Sequence, residues 1–571
     1  MSVYKVFVLG LDGATFDLIL PWAAEGKLPH FSRLLAEGSW GPLESVPNMR
    51  SAAAWTSFMT GKNPGKHGIF EFFEPIPQTY DLRFIHGEMR KGKTLWALLS
   101  GRGKRVGVIN VPMTYPAEEV NGFLIAGLDA PGPESSYFCY PAELSEELKR
   151  RFGPYILEPG LTGCLVGGKP ELAVQKLHQE LMQKEKITVY LMQKYKWDFF
   201  MVVFRSLDAV QHCFWKYMDP LHPQHNPAEA KRFGSVILEA YKQIDKTVGT
   251  IRGALEEDTV LMVMSDHGFG RKHPANNQLN RWLASQGFLH YLDDRTKART
   301  IRRFSTSLLA RSYRLLVGKT SRTVKQRLAT RFPQLRNRLQ SRLCLENIDW
   351  SRTKAYSDTL FPNIRVNLEG REPKGIVRPG KEYSQVVERL RKALVECLDA
   401  VSGRQIVDRV FHRDELYTGP FVEKAPDLLI RWREDEEIRG IAMGDASMGS
   451  AAVEESRQLV PGEDPRIISG DHRLHGIFLM AGRPIQKGLR LSNARIIDLA
   501  PTILNLFQLP VPSDMDGSVL TEVFQEGTIS TDLPSHINEV IESSDRHAEE
   551  GYSAEEEKAI AKRLRDLGYI D

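Results

Sequence analysis

Short runs of β-branched and aromatic residues recur along the chain, and three of them run out on an acidic residue. YKVFVLG (4–10) leads to Asp12, WDFFMVVF (197–204) to Asp208, and DTVLMVMS (258–265) to Asp266. Runs this short and this apolar read as strands covered on both faces. KRVGVINV (104–111) and APDLLIRW (425–432) read the same way. Between them the period lengthens. From about 16 to 37, Leu18, Leu20, Trp22, Leu28, Phe31 and Leu34 fall at helical spacing, and 228–256 reads as a further helical segment. Such alternation predicts an α/β fold with a mostly parallel central sheet and helices on both faces. Ligands gather at the carboxyl ends of the strands in such sheets, where Asp12, Asp208 and Asp266 are expected.

The pattern divides the chain. Residues 1–290 read as the first part of a catalytic core that resumes over 351–525, with a basic helical insertion at 291–350 and a helical tail at 526–571. In the insertion, 305–316 and 323–339 carry Leu, Val and Phe at helical spacing among arginines, which predicts amphipathic helices and a possible cap. In the tail, SAEEEKAIAKRLRDLGY reads as a Ser-capped surface helix stopped by Gly568.

Charge sharpens that division. The formal net charge is +4, yet residues 295–342 hold 15 Lys/Arg and no Asp/Glu, so the remainder of the chain carries −11. The segregation points to an anionic partner for the insertion, or to a solvated helical lid. With 571 residues, 42% hydrophobic and 26% charged, the chain lies inside the soluble globular range and is long enough for one large α/β domain with insertions or for several domains. Five scattered cysteines, Cys139, Cys164, Cys213, Cys344 and Cys397, make no disulfide framework and no CxxC pair, which suggests a reducing compartment. The apolar start has a strand's length and no cleavage site, and no apolar run reaches the length of a membrane span. A cytoplasmic location is expected.

The candidate chemistry lies in five segments. LGLDGA supplies Asp12, RSLDAVQH supplies Asp208 and His212, MSDHGFG supplies Asp266 and His267, SGDHRLHG supplies His472, and NMRSAAAWTSFMTG adds the Ser51 hydroxyl. Asp208 and His212 lie four apart after a strand, so a helix starting at 207 or 208 points both from one face. With His472 they make three protein ligands and leave a position open, the pattern of a catalytic site. Asp266 and His267, at a strand end where the chain turns, can converge with Asp12 on a second ion. Ser51 opens an alanine-rich helix that Gly61 ends, and a helix N-terminus favours a phosphate. No Gly-x-Ser-x-Gly surrounds it, so a metal is the expected activator. Two ions beside a hydroxyl suit phosphoryl transfer. Thr56, Ser57 and Thr60 are expected to cap or line that helix, His67 to bond a loop, His475 to sit at the surface or behind a ligand, Arg50 to form an exposed salt bridge, and Cys213 to pack.

The order Asp12, Ser51-x8-Thr60-Gly61, Pro64, His67-Gly68-Ile69, Asp208-x3-His212, Ser265-Asp266-His267-Gly268 and Gly470-Asp471-His472 resembles the type I phosphodiesterase/nucleotide pyrophosphatase family of the alkaline phosphatase superfamily. The resemblance covers about 1–290 and 350–525, including DLAPTILNLFQLPVPSDMDG (498–517), and implies an alkaline-phosphatase-like sandwich. It implies that Asp208, His212 and His472 hold one zinc and Asp12, Ser51, Asp266 and His267 the other, although His/Asp sites also admit manganese. The nucleophile, usually Thr in the family, is Ser51 here. Relatives place a phosphate-binding Asn where this chain has Phe72. The implied activity is hydrolysis of phosphodiester, pyrophosphate or phosphomonoester bonds in a small phosphate-ester or nucleotide substrate, through a phospho-serine. A phosphomutase is the alternative enzyme, and a membrane-surface or polyanion-binding protein with a structural metal core is the non-enzymatic one. Ser51-Ala52-Ala53-Ala54 lacks the Cys/Ser-x-Pro-x-Arg signature of sulfatases.

Overall fold

The computed structural model describes residues 4–80, 82–292, 345, 348–357, 361–434, 438–442, 467–527 and 552–566. The basic stretch 295–342 and its two expected helices lie outside the described residues.

The run from Lys5 to Leu11 forms the middle of a nine-stranded sheet, flanked by Thr259–Met264 on one side and Phe199–Phe204 on the other, both parallel to it. Val106–Val111 and then Gly122–Ala126 continue the parallel order beyond Phe199–Phe204. Every side chain of the Phe199–Phe204 and Thr259–Met264 strands is buried, as expected for strands covered on both faces. Two strands run against the rest: His475–Ala481, between Thr259–Met264 and Ser39–Glu44, and the edge strand Cys139–Tyr140.

Where the apolar pattern and the fold differ, the reason is local. The helical stretch at 16–37 is two helices, Phe16–Ala24 and Pro29–Glu37, because Gly26 takes a left-handed conformation (φ 75°) and Pro29 opens a new first turn. The 228–256 stretch likewise divides into Pro227–Phe233 and Val236–Ala254. APDLLIRW does not join the central sheet. Its Leu428–Trp432 strand lies in a separate four-stranded sheet, paired antiparallel with Asn363–Val366 and Val407–His412, over a second apolar core that includes Ile364, Leu390 and Ile430. An apolar run of strand length carries no label for its sheet.

The C-terminal helix Ala554–Asp566 starts at Ser553, whose N–H and hydroxyl both donate to Glu556. It is docked on the core: Ile560 and Leu564 are buried, Arg563 donates to the carbonyls of Leu128 and Pro131, and Tyr552 donates to the carbonyl of Asp129. No described helix is long and apolar enough to cross a membrane.

Candidate active site

Four chain segments bring the candidate ligands to the carboxyl ends of the central strands. Asp12 follows Lys5–Leu11, and Asp266 and His267 follow Thr259–Met264. Asp208 and His212 lie one turn apart on the helix Ser206–Met218, which begins directly after the Phe199–Phe204 strand. His472 arrives on a two-stranded antiparallel ribbon, Gly470–Arg473 against Gly268–Arg271, with His472 opposite Phe269. All six are buried, and they form two sets, Asp208/His212/His472 and Asp12/Asp266/His267, each with ligand atoms within 4.8 Å of one another.

The spacing within each set is that of a coordination shell. His212 Nε2 lies 3.2 Å and His472 Nε2 3.3 Å from Asp208 Oδ1, and the two nitrogens are 3.1 Å apart. In the other set, His267 Nε2 lies 3.3 Å from Asp266 Oδ2, 3.5 Å from Asp12 Oδ1 and 3.2 Å from Ser51 Oγ. Donors about 2.0–2.1 Å from a tetrahedral ion stand roughly 3.3 Å apart. The imidazoles of His267 and His472 stack at 3.6 Å, so the two sets are neighbours.

Tautomers and carboxylate orientations are fixed from behind. Nδ1 of His212, His472 and His267 lies 2.9, 2.7 and 3.0 Å from the carbonyls of Gly470, Met49 and Gly268. A carbonyl only accepts, so Nδ1 carries the proton and each Nε2 presents a lone pair to its set. Each carboxylate divides its oxygens. Asp12 Oδ2 accepts from Trp55 and Arg205, Asp208 Oδ2 from Arg205, and Asp266 Oδ1 from the Gly13 N–H. Asp12 Oδ1, Asp208 Oδ1 and Asp266 Oδ2 are buried and accept no hydrogen bond. Such oxygens are costly unless a cation meets them, and this donor set of carboxylates, imidazoles and a hydroxyl fits a divalent ion.

Electrostatics agrees. Burial, reinforced by the Asp208 charge, pushes Asp12 up to about 6, and burial with the Asp12 and Asp208 charges pushes Asp266 well above the carboxylate range. Burial opposes the Asp208 charge too, but His212 and His472 hold it well below its ordinary value. Burial holds His267 neutral far below the usual imidazole range, so its Nε2 stays available as a ligand.

Ser51 is the first residue of the helix Ser51–Thr60, which ends at Gly61 in a left-handed conformation (φ 66°). Its rivals have other tasks: Thr56 and Thr60 donate to the carbonyls of Ala52 and Thr56, and Ser57 bonds His67. His67 also accepts from the Ile69 N–H and stands outside both sets, and His475 is exposed. Arg50 pairs with Glu71 at 2.5 Å, buried rather than exposed, and Cys213 is packed.

The model of the type I phosphodiesterase / nucleotide pyrophosphatase family matches residues 6–440. The chain belongs to this family. It is therefore a phosphoester hydrolase of the alkaline phosphatase superfamily, a metallophosphoesterase type with two candidate ligand sets in place. No match is found among curated proteins. Among solved structures, phosphonoacetate hydrolase from Sinorhizobium meliloti 1021, in complex with phosphonoformate, is 12% identical with a TM-score of 0.50, covering 88% of this chain and 96% of that one. Murine ectonucleotide pyrophosphatase / phosphodiesterase 5, an inactive variant in complex with AMP, is 13% identical with a TM-score of 0.47, covering 91% of this chain and 100% of that one.

Phe72 is a buried ring that offers no polar side-chain atom. Arg205, Trp55 and the Gly13 N–H were not singled out by the sequence pattern. Arg205 stands only three residues before Asp208, yet nothing in RSLDAVQH says that its guanidinium bridges two carboxylates 193 and 3 residues away.

Proposed function

We propose that this hydrolase cleaves a phosphodiester through a covalent phospho-Ser51, with Asp208, His212 and His472 holding one divalent ion and Asp12, Asp266, His267 and Ser51 the other, zinc being the first choice. The observation that carries this reading is the convergence of two coordination-spaced ligand sets, with Ser51 Oγ completing one of them. Bound ions would supply positive charge to the attacking and departing oxygens.

The chain's own part follows from the geometry. Ser51 Oγ attacks phosphorus and its proton passes to solvent; the bond to the leaving oxygen breaks, that oxygen takes a proton from solvent and departs as the alcohol, and Ser51 is left carrying the phosphoryl group with its remaining ester. Water then attacks phosphorus, breaks the bond to Oγ, and releases a monoester and the free serine. The N-terminal end of the Ser51–Thr60 helix directs its positive dipole end toward the phosphoryl oxygens. Arg205 holds the outer oxygens of Asp12 and Asp208, so neither ligand turns away during the cycle.

A diester is favoured over a monoester by charge. Arg50, next to Ser51, is neutralised by Glu71, and Arg205 by Asp12 and Asp208, which leaves neither guanidinium for the extra negative charge of a monoester. The test is a panel of aryl mono- and diesters on metal-analysed protein. Turnover of diesters with the ester-bearing phosphoryl group bound to Ser51 in the quenched protein is expected. Phosphate migrating to a second position of a bound product would make it a phosphomutase, and absence of turnover with both ions bound would overturn the proposal.

A further inference from the structure

Beside the ribbon that carries His472 lies a cavity of about 580 Å³. Neither Ser51 nor any of the six ligand residues lines it. Phe269 does, and its ring packs against the imidazoles of His212 and His472 at 4.7 and 5.6 Å. The cavity is a neighbour of the metal centre and separate from it.

Its walls carry Arg271, Lys272, Arg433, Arg473 and Arg490 against the carboxylates of Asp17, Asp219 and Glu434. Two of these carboxylates are answered in place. Arg271 donates to both oxygens of Asp219, at 2.8 and 3.1 Å, and Arg473 lies 3.5 Å from Glu434. The Lys272 charge is felt by Asp471, which stands outside the lining. Asp17 is exposed in the first turn of the Phe16–Ala24 helix, where water screens it and the helix N-terminus offsets it. Arg433 and Arg490 are left over. Among the described residues the Arg433 guanidinium has no hydrogen bond or ion pair, and Arg490 lies over the Trp40 ring at 5.2 Å. His273, also in the lining, adds a donor of another kind. Its buried ring stacks on Trp432, the residue before Arg433, at 5.2 Å with the planes 1° apart. The Ala275 N–H donates to its Nδ1, and burial, reinforced by the Arg473 charge, holds the imidazole neutral down to about 3. The proton therefore sits on Nε2, which is buried and has no partner among the described residues. Such a donor is costly to leave unmet.

We propose that this cavity is a second anion site, which takes a phosphate dianion, free or as a monoester, on His273 Nε2–H, Arg433 and Arg490. Two guanidinium forks and an N–H suit oxygens that diverge tetrahedrally, whereas a carboxylate offers two in one plane. The cavity exceeds the phosphate group itself, so an ester arm has room beside Phe16 and Trp40. The site is independent of the role of Ser51.

Equilibrium dialysis of the metal-loaded protein against radiolabelled inorganic phosphate counts this site together with any phosphate held at the metal centre. In a chain carrying both Arg433→Gln and Arg490→Gln, one bound phosphate should weaken about 100-fold, roughly tenfold for each guanidinium removed. An unchanged Tm in that chain shows that the fold is intact. His273→Phe, which keeps the stack on Trp432 and removes the donor, should weaken the same phosphate by about fivefold, and it decides alone if the double variant fails to fold. Phenyl phosphate in competition identifies the source: displacement of the pocket phosphate assigns the monoester as well, and no displacement assigns the free anion. An affinity for phosphate unchanged by either variant, or displacement by an equal concentration of acetate, would overturn the proposal.

Discussion

Withdrawing divalent ions with a chelator probes the centre without altering a residue. An ion present at 100 times its dissociation constant stabilises the folded state by about 2.7 kcal/mol, so two sites contribute roughly 5 kcal/mol. With about 2.1 cal/mol/K of unfolding entropy per residue, a chain of 571 residues changes by about 1.2 kcal/mol per degree, and chelation should lower Tm by about 4 °C. Acid should weaken the same sites. Burial and the Asp208 charge hold Asp12 at about 6, so below that pH an ion must displace its proton. From Asp12 alone, affinity at pH 5 should be about tenfold weaker than at pH 7.5. His212 is raised above its ordinary value, burial being outweighed only by the Asp208 charge and hydrogen bond, the Asp471 charge and the Gly470 carbonyl acting together, and Asp266 is raised well above the carboxylate range; both act in the same direction. Thermal scans with and without chelator give the first quantity. Calorimetric titration in two buffers of different ionisation enthalpy gives the second, with the protons released. Identical Tm values for loaded and stripped protein at pH 7.5, or an affinity independent of pH, would refute the assignment of these six residues as ligands.

Ser51→Ala should reduce diester turnover by on the order of a thousandfold or more while both ions remain bound, because the other three ligands of its set persist; full activity would remove the covalent step. Asp208→Asn and His212→Ala should each weaken one ion by more than about 100-fold, measured by competition with a metal indicator, and lower the rate with it; an unchanged metal content would reassign that set. Burial holds His67 and His273 neutral down to about 3, so their contribution to stability is complete above the unfolded value of about 6.5 and is lost as pH falls from there toward 3. At pH 5 each should cost about 2 kcal/mol, and urea unfolding of His67→Gln at pH 7.5 and 5 should show the acid loss reduced by that amount; an undiminished loss would show that His67 does not carry it.

The parallel core was legible because its strands are buried on both faces and therefore apolar throughout; Phe199–Phe204 and Thr259–Met264 are such strands. Ser39–Glu44 escaped notice for the opposite reason. Its sequence, SWGPLE, carries Gly41 and Pro42 inside the strand, both of which normally argue against one. Gly41 is nonetheless required there, since a Cβ would stand 2.2 Å from the Leu491 carbonyl oxygen. The candidate ligands were legible one by one because a strand end followed by Asp is a local feature. Their division into two sets was expected from the segments themselves and implied again by the resemblance, although it depends on contacts as distant in sequence as Asp208 to His472.

What no local pattern carries is which oxygen of a carboxylate faces which way. Asp12, Asp208 and Asp266 each have one oxygen tied to a protein donor and one left bare. A carboxylate free to rotate would exchange the two, and a buried ion would then compete with Trp55, Arg205 or the Gly13 N–H for the same atom. Fixing the outer oxygen removes that competition before any ion arrives, at the expense of placing a guanidinium against two ligands. Arg205 is tolerable there because it is positive where the bare oxygens are not: it cancels part of the excess charge of three buried carboxylates, yet it approaches only from behind, so the space in front of Asp12 Oδ1 and Asp208 Oδ1 is kept for a second cation. The same logic explains the three imidazoles. A backbone carbonyl behind each Nδ1 settles the tautomer with a group that cannot titrate, so every Nε2 lone pair in the centre is aimed by the main chain itself.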